Sequence, residues 1–263
     1  MKYGVLIGAL FATAFLATGA QAQTAGLITN SPHDLSSGSS TNADKNEICV
    51  YCHTPHGGAG VAVQAPLWNK ILPAAADFTL YDSSTIDGEI LAAGPGGVSL
   101  ACLSCHDGSQ ATDVVINKPG TNGYDAGGSE LDPTAGPLLT GVFAVGDSGD
   151  LANDHPIAVV YGGFGATPVD PDFNTTDLAT IGADKWYLDL DGDAVRDKTD
   201  IILYTRAATG GDKPFVECGS CHDPHSGNTD DVAGSGTNAA GSGVSFMRVA
   251  NTGSDLCLAC HVK

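Results

Sequence analysis

Aromatic side chains make up only 6% of the 263 residues, with two tryptophans and two methionines against 35 glycines. So little bulky apolar material excludes a single large conventional core. Positive charge is equally scarce: 11 basic residues face 30 acidic ones, a formal net charge of −19. Nucleic acid and anionic membranes carry the same sign and are excluded as electrostatic partners. Cationic cytochromes, metal ions and oxide surfaces remain. Long apolar runs are missing after the first 22 residues. Those 22 read as an export leader, with Lys2 at the basic start, an apolar stretch from Gly4 to Ala17 too short to span a bilayer, and Ala20-Gln21-Ala22 as a small-x-small cleavage site. The expected product begins at Gln23, is exported and has no membrane span. Loss of Lys2 would leave 10 basic residues against the same 30 acidic ones.

The most informative absence is of any cysteine outside one pattern. An exported chain with eight cysteines would ordinarily be read as a four-disulfide scaffold. Every cysteine here falls in a C-x-x-C pair followed at once by histidine: Cys49, Cys52 and His53; Cys102, Cys105 and His106; Cys218, Cys221 and His222; Cys257, Cys260 and His261. Two thiols three residues apart share one face of a helical turn, where they can form thioethers with the two vinyl groups of one porphyrin, and the histidine then lies under the ring to ligate iron. Four-cysteine zinc sites require no histidine after each pair. The pattern predicts four covalently attached haem c groups.

The chain holds eight histidines, so four remain once the motifs are filled: His33, His56, His155 and His225. Four irons offer four second axial positions, and the tally predicts one remaining histidine on each. Methionine competes weakly, because Met1 leaves with the leader and Met247 sits in the apolar segment "SFMRVA". Two histidines on opposite sides of one iron need Cα atoms about 12 Å apart, whereas three extended residues span only ~10 Å. His53 and His56 therefore cannot share an iron, and neither can His222 and His225. Each C-H-x-x-H segment ties together two haems. Full histidine occupancy leaves no open axial site, so electron transfer, not catalysis, is expected, at low potential.

The motifs form two clusters. Residues 23–110 carry the first two haem motifs in polar, turn-rich sequence apart from "APLWNK" around Trp68. Residues 111–214 contain no cysteine and only His155. Residues 215–263 carry the last two motifs, separated by the Gly/Ser/Ala-rich loop 231–245. Short strands are predicted after Pro156 and at "DIILYT" (200–205). No long helical periodicity is visible. The expected fold is mostly irregular, with loops, one-turn helices and a few short β-hairpins wrapped around a chain of four haems that replace the missing core. In the middle section Asp189, Asp191, Asp193, Asp197 and Asp200 occupy positions 1, 3, 5, 9 and 12 of a calcium-loop spacing. Ala194 stands where glycine is usual and Asp200 where glutamate is usual, so an acidic solvated turn is the alternative to a calcium site.

"SPHD", "EICVYCHTPH", "PLWN", "CLSCHDG", "NDHPI", "ECGSCHDPH" and the ending "LCLACHVK" resemble the OmcE-type tetrahaem cytochromes, relatives of the OmcS-type hexahaem proteins that polymerise into extracellular nanowires. The resemblance runs from about residue 30 to the C-terminus and is weaker across 111–190. It implies a homopolymeric filament in which His56 ligates a haem of the adjacent subunit, with other multihaem cytochromes or oxide and electrode surfaces as redox partners. The alternative is a monomeric periplasmic tetrahaem shuttle. By the tally, His33 and His155 would serve the first two haems, His225 the fourth, and His56 of the next subunit the third.

Overall fold

A computed structural model of the protein describes residues 28–29, 31–36, 47–59, 65–86, 88–90, 93–118, 137–165, 169–179, 186–225, 246–249 and 252–262. The expected leader over 1–22 and the glycine-rich loop 231–245 lie outside these residues.

The elements in chain order are β1 (Thr79–Leu80), α1 (Gly97–His106), β2 (Asp150–Leu151), β3 (Val159–Val160), β4 (Asp177–Leu178), β5 (Trp186–Leu188), β6 (Ile201–Ala208), β7 (Gly211–Val216), α2 (Cys218–Cys221) and α3 (Asp255–Cys260). Helix is sparse and loops dominate, while β3 to β7 form a five-stranded sheet in the order β3-β7-β6-β5-β4. Every pairing within that sheet is antiparallel. The predicted strands are present: β3 follows Pro156, and β6 begins inside "DIILYT". β6 continues to Ala208 because a two-residue turn at Thr209 and Gly210 folds it onto β7, with Ala208 opposite Gly211. Gly210, at φ +88°, takes the left-handed conformation such a turn requires.

Two features depart from the expected organisation. α1 is ten residues long and was hidden because its buried positions include Ser99 and Ser104, which break the apolar stripe. The boundary placed between residues 214 and 215 falls inside β7, whose register with β6 joins the middle section directly to the third haem motif. The sheet also carries an apolar cluster of its own. Val159, Tyr161, Leu188, Ile201, Leu203 and Val216 pack with Ala259 of α3. The fourth motif is thereby seated on the sheet. Two smaller clusters lie under the first and second motifs: Tyr51 with Val115, and Phe78 with Leu103 and Leu151. Among the described residues no helix is long and apolar enough to cross a membrane.

Glu217 ties the second motif to the third. Its fully buried carboxylate accepts from the Gly96 N–H at the start of α1 (3.1 Å), from Ser99 Oγ (2.6 Å) and from the Arg206 guanidinium (2.6 Å). Ser99 Oγ in turn accepts the Cys218 N–H at 2.9 Å. Burial pushes the Glu217 carboxyl above its ordinary value, and the Ser99 and Arg206 bonds oppose that shift. Glu217→Gln keeps the shape but leaves Arg206 without its counter-charge. The expected result is a loss of about 3 kcal/mol in chemical denaturation, with Arg206→Met in the same background costing much less than Arg206→Met alone.

Candidate functional site

Each motif is one turn of helix. The N–H of His53 donates to Cys49 O at 2.8 Å, that of His222 to Cys218 O at 3.0 Å, and that of His261 to Cys257 O at 2.9 Å; His106 closes α1 in the same way. The turn puts the two sulfur atoms of a pair on one side, and no two of the eight cysteines form a disulfide.

Three of the motifs then make an identical connection. Each histidine forms a one-residue antiparallel bridge: His53 with Trp68, His222 with Met247, His261 with Phe173. The second cysteine's carbonyl accepts the N–H that follows the bridging residue, from Asn69, Arg248 and Asn174 respectively. The side chains of those three residues donate to the carbonyl of the motif's second position: Asn69 Nδ2 to Val50 O (2.7 Å), Arg248 Nε to Gly219 O (2.8 Å) and Asn174 Nδ2 to Leu258 O (2.8 Å). A helix that stops at the histidine leaves that carbonyl without an intrahelical partner. In the second motif the helix runs on, and the Asp107 N–H fills the same carbonyl, Leu103 O, at 3.0 Å. Sequence reasoning missed this module. Its trace is a large apolar residue followed by Asn or Arg, in "WN", "MR" and "FN". Gly219 has a separate reason: a Cβ there would run into the Tyr204 hydroxyl.

The imidazoles are oriented by their Nδ1 atoms. His53 Nδ1 lies 2.8 Å from Pro66 O and His106 Nδ1 2.7 Å from Phe143 O, so each donates to a carbonyl and leaves Nε2 as the free lone pair. His33 and His155 direct Nδ1 toward Pro224 O (3.4 Å) and Pro156 O (3.1 Å). His225 Nδ1 lies 3.3 Å from the Asp223 carboxylate. Burial, helped by the neighbouring His106, His225 and His222, lowers His33 to about 4, and burial also lowers His53. Both rings are therefore held neutral at ordinary pH, as metal ligands must be.

Two pairs of these rings lie near one another. His33 and His106 have ring centres 6.2 Å apart, with planes at 71°; His53 and His225 are 6.1 Å apart, nearly parallel at 10°. Aromatic rings in contact have centres about 4.5–7 Å apart, a range that also takes in His53 and Trp68 at 5.8 Å. Two metal–nitrogen bonds of about 2 Å, plus about 1 Å from each nitrogen to its ring centre, sum to about 6 Å. The residues fit one hexacoordinate iron in each gap. His56 and His155 are exposed and stand outside these two pairs.

The motifs are also close to one another. The Cys102 and Cys218 thiols lie beside one another, and their interaction pushes Cys102 up while holding Cys218 down. Burial pushes Cys52 up to about 12, with Cys105 adding to it. Burial likewise pushes Cys221 up to about 11, with Cys257 adding to it, and Cys260 up to about 12, with Cys221 and Cys257 adding to it. First, second, third and fourth motifs are thus linked in one contiguous set.

Of the five aspartates at calcium-loop spacing, the structure brings together the carboxylates of Asp189, Asp191 and Asp193, all within 4.8 Å of one another. Asp197 instead accepts from Thr199 (2.7 Å). Asp200 is buried and accepts the N–H groups of Leu190 (3.1 Å) and Asp197 (2.9 Å), so it closes the loop from behind.

A scan against protein-family models finds no match, and no curated protein matches the sequence.

Two measurements test this geometry. Asn174→Ala orphans the carbonyls of Leu258 and Ala259, both within 3.0 Å of its amide, and is expected to cost about 2 kcal/mol in chemical denaturation; an effect under about 0.5 kcal/mol would remove the capping role. Asp191→Asn with Asp193→Asn is expected to lower the melting temperature only when calcium is supplied, and an equal change in chelator would identify a plain acidic turn.

Proposed function

We propose that the protein is a tetrahaem c-type cytochrome whose irons are held between histidines, and that it carries electrons as the repeating subunit of an extracellular filament. The observation that carries the first half is the pair of imidazole gaps, 6.2 Å between His33 and His106 and 6.1 Å between His53 and His225. Cys49 and Cys52, Cys102 and Cys105, Cys218 and Cys221, and Cys257 and Cys260 would hold the four haem groups, with His53, His106, His222 and His261 as motif ligands. Bound haem supplies one-electron chemistry at iron. The chain's part is to fix ligand orientation through Nδ1, to fill both axial positions so that no substrate can coordinate, and to set the attachment points side by side.

The gaps favour a different pairing from the order along the chain. His225 faces His53 and not the fourth motif, and His33 serves the second motif. His155 and a His56 from a neighbouring subunit then complete the third and fourth. The tether argument supports this: His225 reaches a haem other than that of His222, so the C-H-x-x-H segment joins the first and third haems.

Filament assembly is supported by the exposure of His56 together with the hold on its backbone, whose carbonyl accepts from Thr54 Oγ1 (2.9 Å) and Asn117 Nδ2 (2.9 Å). The ring is presented outward on a fixed base. The likeness to OmcE-type cytochromes and the export leader point the same way, with other multihaem cytochromes or oxide surfaces as the redox partners of an acidic filament.

One preparation tests both halves. The ferric protein should carry four haems per chain, show only low-spin signals in electron paramagnetic resonance, and form filaments in electron micrographs. His56→Ala should retain four haems, lose filaments and gain one high-spin iron. A substantial high-spin signal in the wild type would defeat the ligand tally, and a monomeric wild type would leave the periplasmic shuttle.

A further inference from the structure

We propose that Asp223 sets the electron affinity of the iron between His53 and His225, holding it below that of the iron between His33 and His106. The inference rests on the haem reading above and adds a residue to it.

The two ligand pairs differ in what stands behind them. Three of the four rings direct Nδ1 at a neutral backbone carbonyl: His53 at Pro66, His106 at Phe143, His33 at Pro224. The fourth, His225, has a carboxylate oxygen of Asp223 at 3.3 Å. A negative charge behind an imidazole makes the ring a stronger donor through Nε2, and a stronger donor stabilises ferric over ferrous iron. The Asp223 side chain is only 6% exposed, so solvent screens it poorly. It is also fixed. The same Oδ1 accepts the His225 N–H at 2.9 Å, and the Asp223 N–H donates to Phe246 O at 2.8 Å in the bridge that anchors the third motif. No carboxylate figures among the groups that shift His33 or His53, whose neighbours are other imidazoles and carbonyls. Asp223 is therefore the carboxylate by which the Nδ1 partners of the two pairs differ. Its effect needs no bond change: one electron, supplied in a titration by dithionite, enters each ferric iron. Within this pair of haems an electron would rest on the one held by His33 and His106.

The test is a reductive titration followed by the low-spin electron paramagnetic resonance signals, on the assembled protein and its variants. Asp223→Asn is nearly isosteric and keeps the oxygen that accepts the His225 N–H. It should retain four low-spin haems while the ferric-to-ferrous ratio of one haem falls about tenfold at fixed potential, which is 59 mV for one electron. Asp223→Glu keeps the charge and should stay near the wild-type curve. An unchanged curve for Asp223→Asn, an equal shift for Asp223→Glu, or the appearance of high-spin iron in Asp223→Asn would each overturn the tuning role. His225→Ala separates this from the underlying reading: it should convert one haem to high spin, and if it does not, His225 is no ligand and the haem assignment itself fails.

Discussion

On the haem reading proposed above, the structure depends on one constraint: a neutral imidazole must present Nε2 toward a partner ring about 6 Å away. A free histidine side chain satisfies this only transiently. Here Nδ1 is engaged on carbonyl oxygens of prolines 66, 156 and 224 and of Phe143. A proline carbonyl is well suited to the task, since the fixed φ of its ring limits how far the acceptor can wander. Burial supplies the other half of the constraint by keeping His33 and His53 uncharged. Orientation and neutrality thus come from the chain itself.

What holds the gaps in place differs between the two ends of the molecule. The third and fourth motifs lean on the sheet: β7 runs through Glu217 into α2, and Ala259 of α3 packs on Tyr161 and Leu203. The Tyr161 hydroxyl reaches Cys260 O at 3.1 Å. Among the described residues the first motif has no sheet beneath it and is stitched by polar side chains. Asn69 bonds Val50 O and Asn117, while buried Lys70 donates to the carbonyls of Thr112 (2.9 Å) and Val114 (2.7 Å). Trp68 crosses to the second motif through Ser104 Oγ at 3.1 Å. Hydrogen bonds to buried carbonyls replace the apolar area that a sequence with 6% aromatics cannot supply.

Legibility in the sequence followed the range of the interaction. The four C-x-x-C-H turns are local, and spacing alone places their cysteines and histidines. The tether rule for His56 and His225 is also local, because it needs only the reach of three residues. β6 was visible from its run of β-branched and aromatic residues. β7 was not, since "GDKPF" opens with residues that strands disfavour and owes its place to pairing with β6. α1 was obscured by Ser99 and Ser104, which face inward because Glu217 and Trp68 bind them. The choice of partner for each histidine was beyond reach, because His225 and His53 are brought together by chain segments far apart in sequence. Chain order pointed His225 toward the fourth motif, and the observed 6.1 Å gap points it to the first.

The three-fold recurrence of the histidine bridge explains how so irregular a chain can place its motifs reproducibly. Its backbone bonds are the same whichever residues carry them, so tryptophan, methionine and phenylalanine can each occupy the bridging position. The residue that follows is more restricted, because it must donate to the carbonyl that a truncated helix leaves open. Asparagine does so at two motifs and arginine at the third. Where the helix includes the histidine, as α1 does with Asp107 as its cap, the carbonyl is already filled and among the described residues no bridge is formed. The length of each motif helix thus decides whether a neighbouring segment is recruited. Recruitment in turn fixes the direction in which the chain leaves each histidine, and with it the reach of the second histidine in a C-H-x-x-H segment. For His225 that path ends opposite His53; for His56 it ends at the surface. One short motif, anchored by the same bridge, is thereby turned inward in one case and outward in the other.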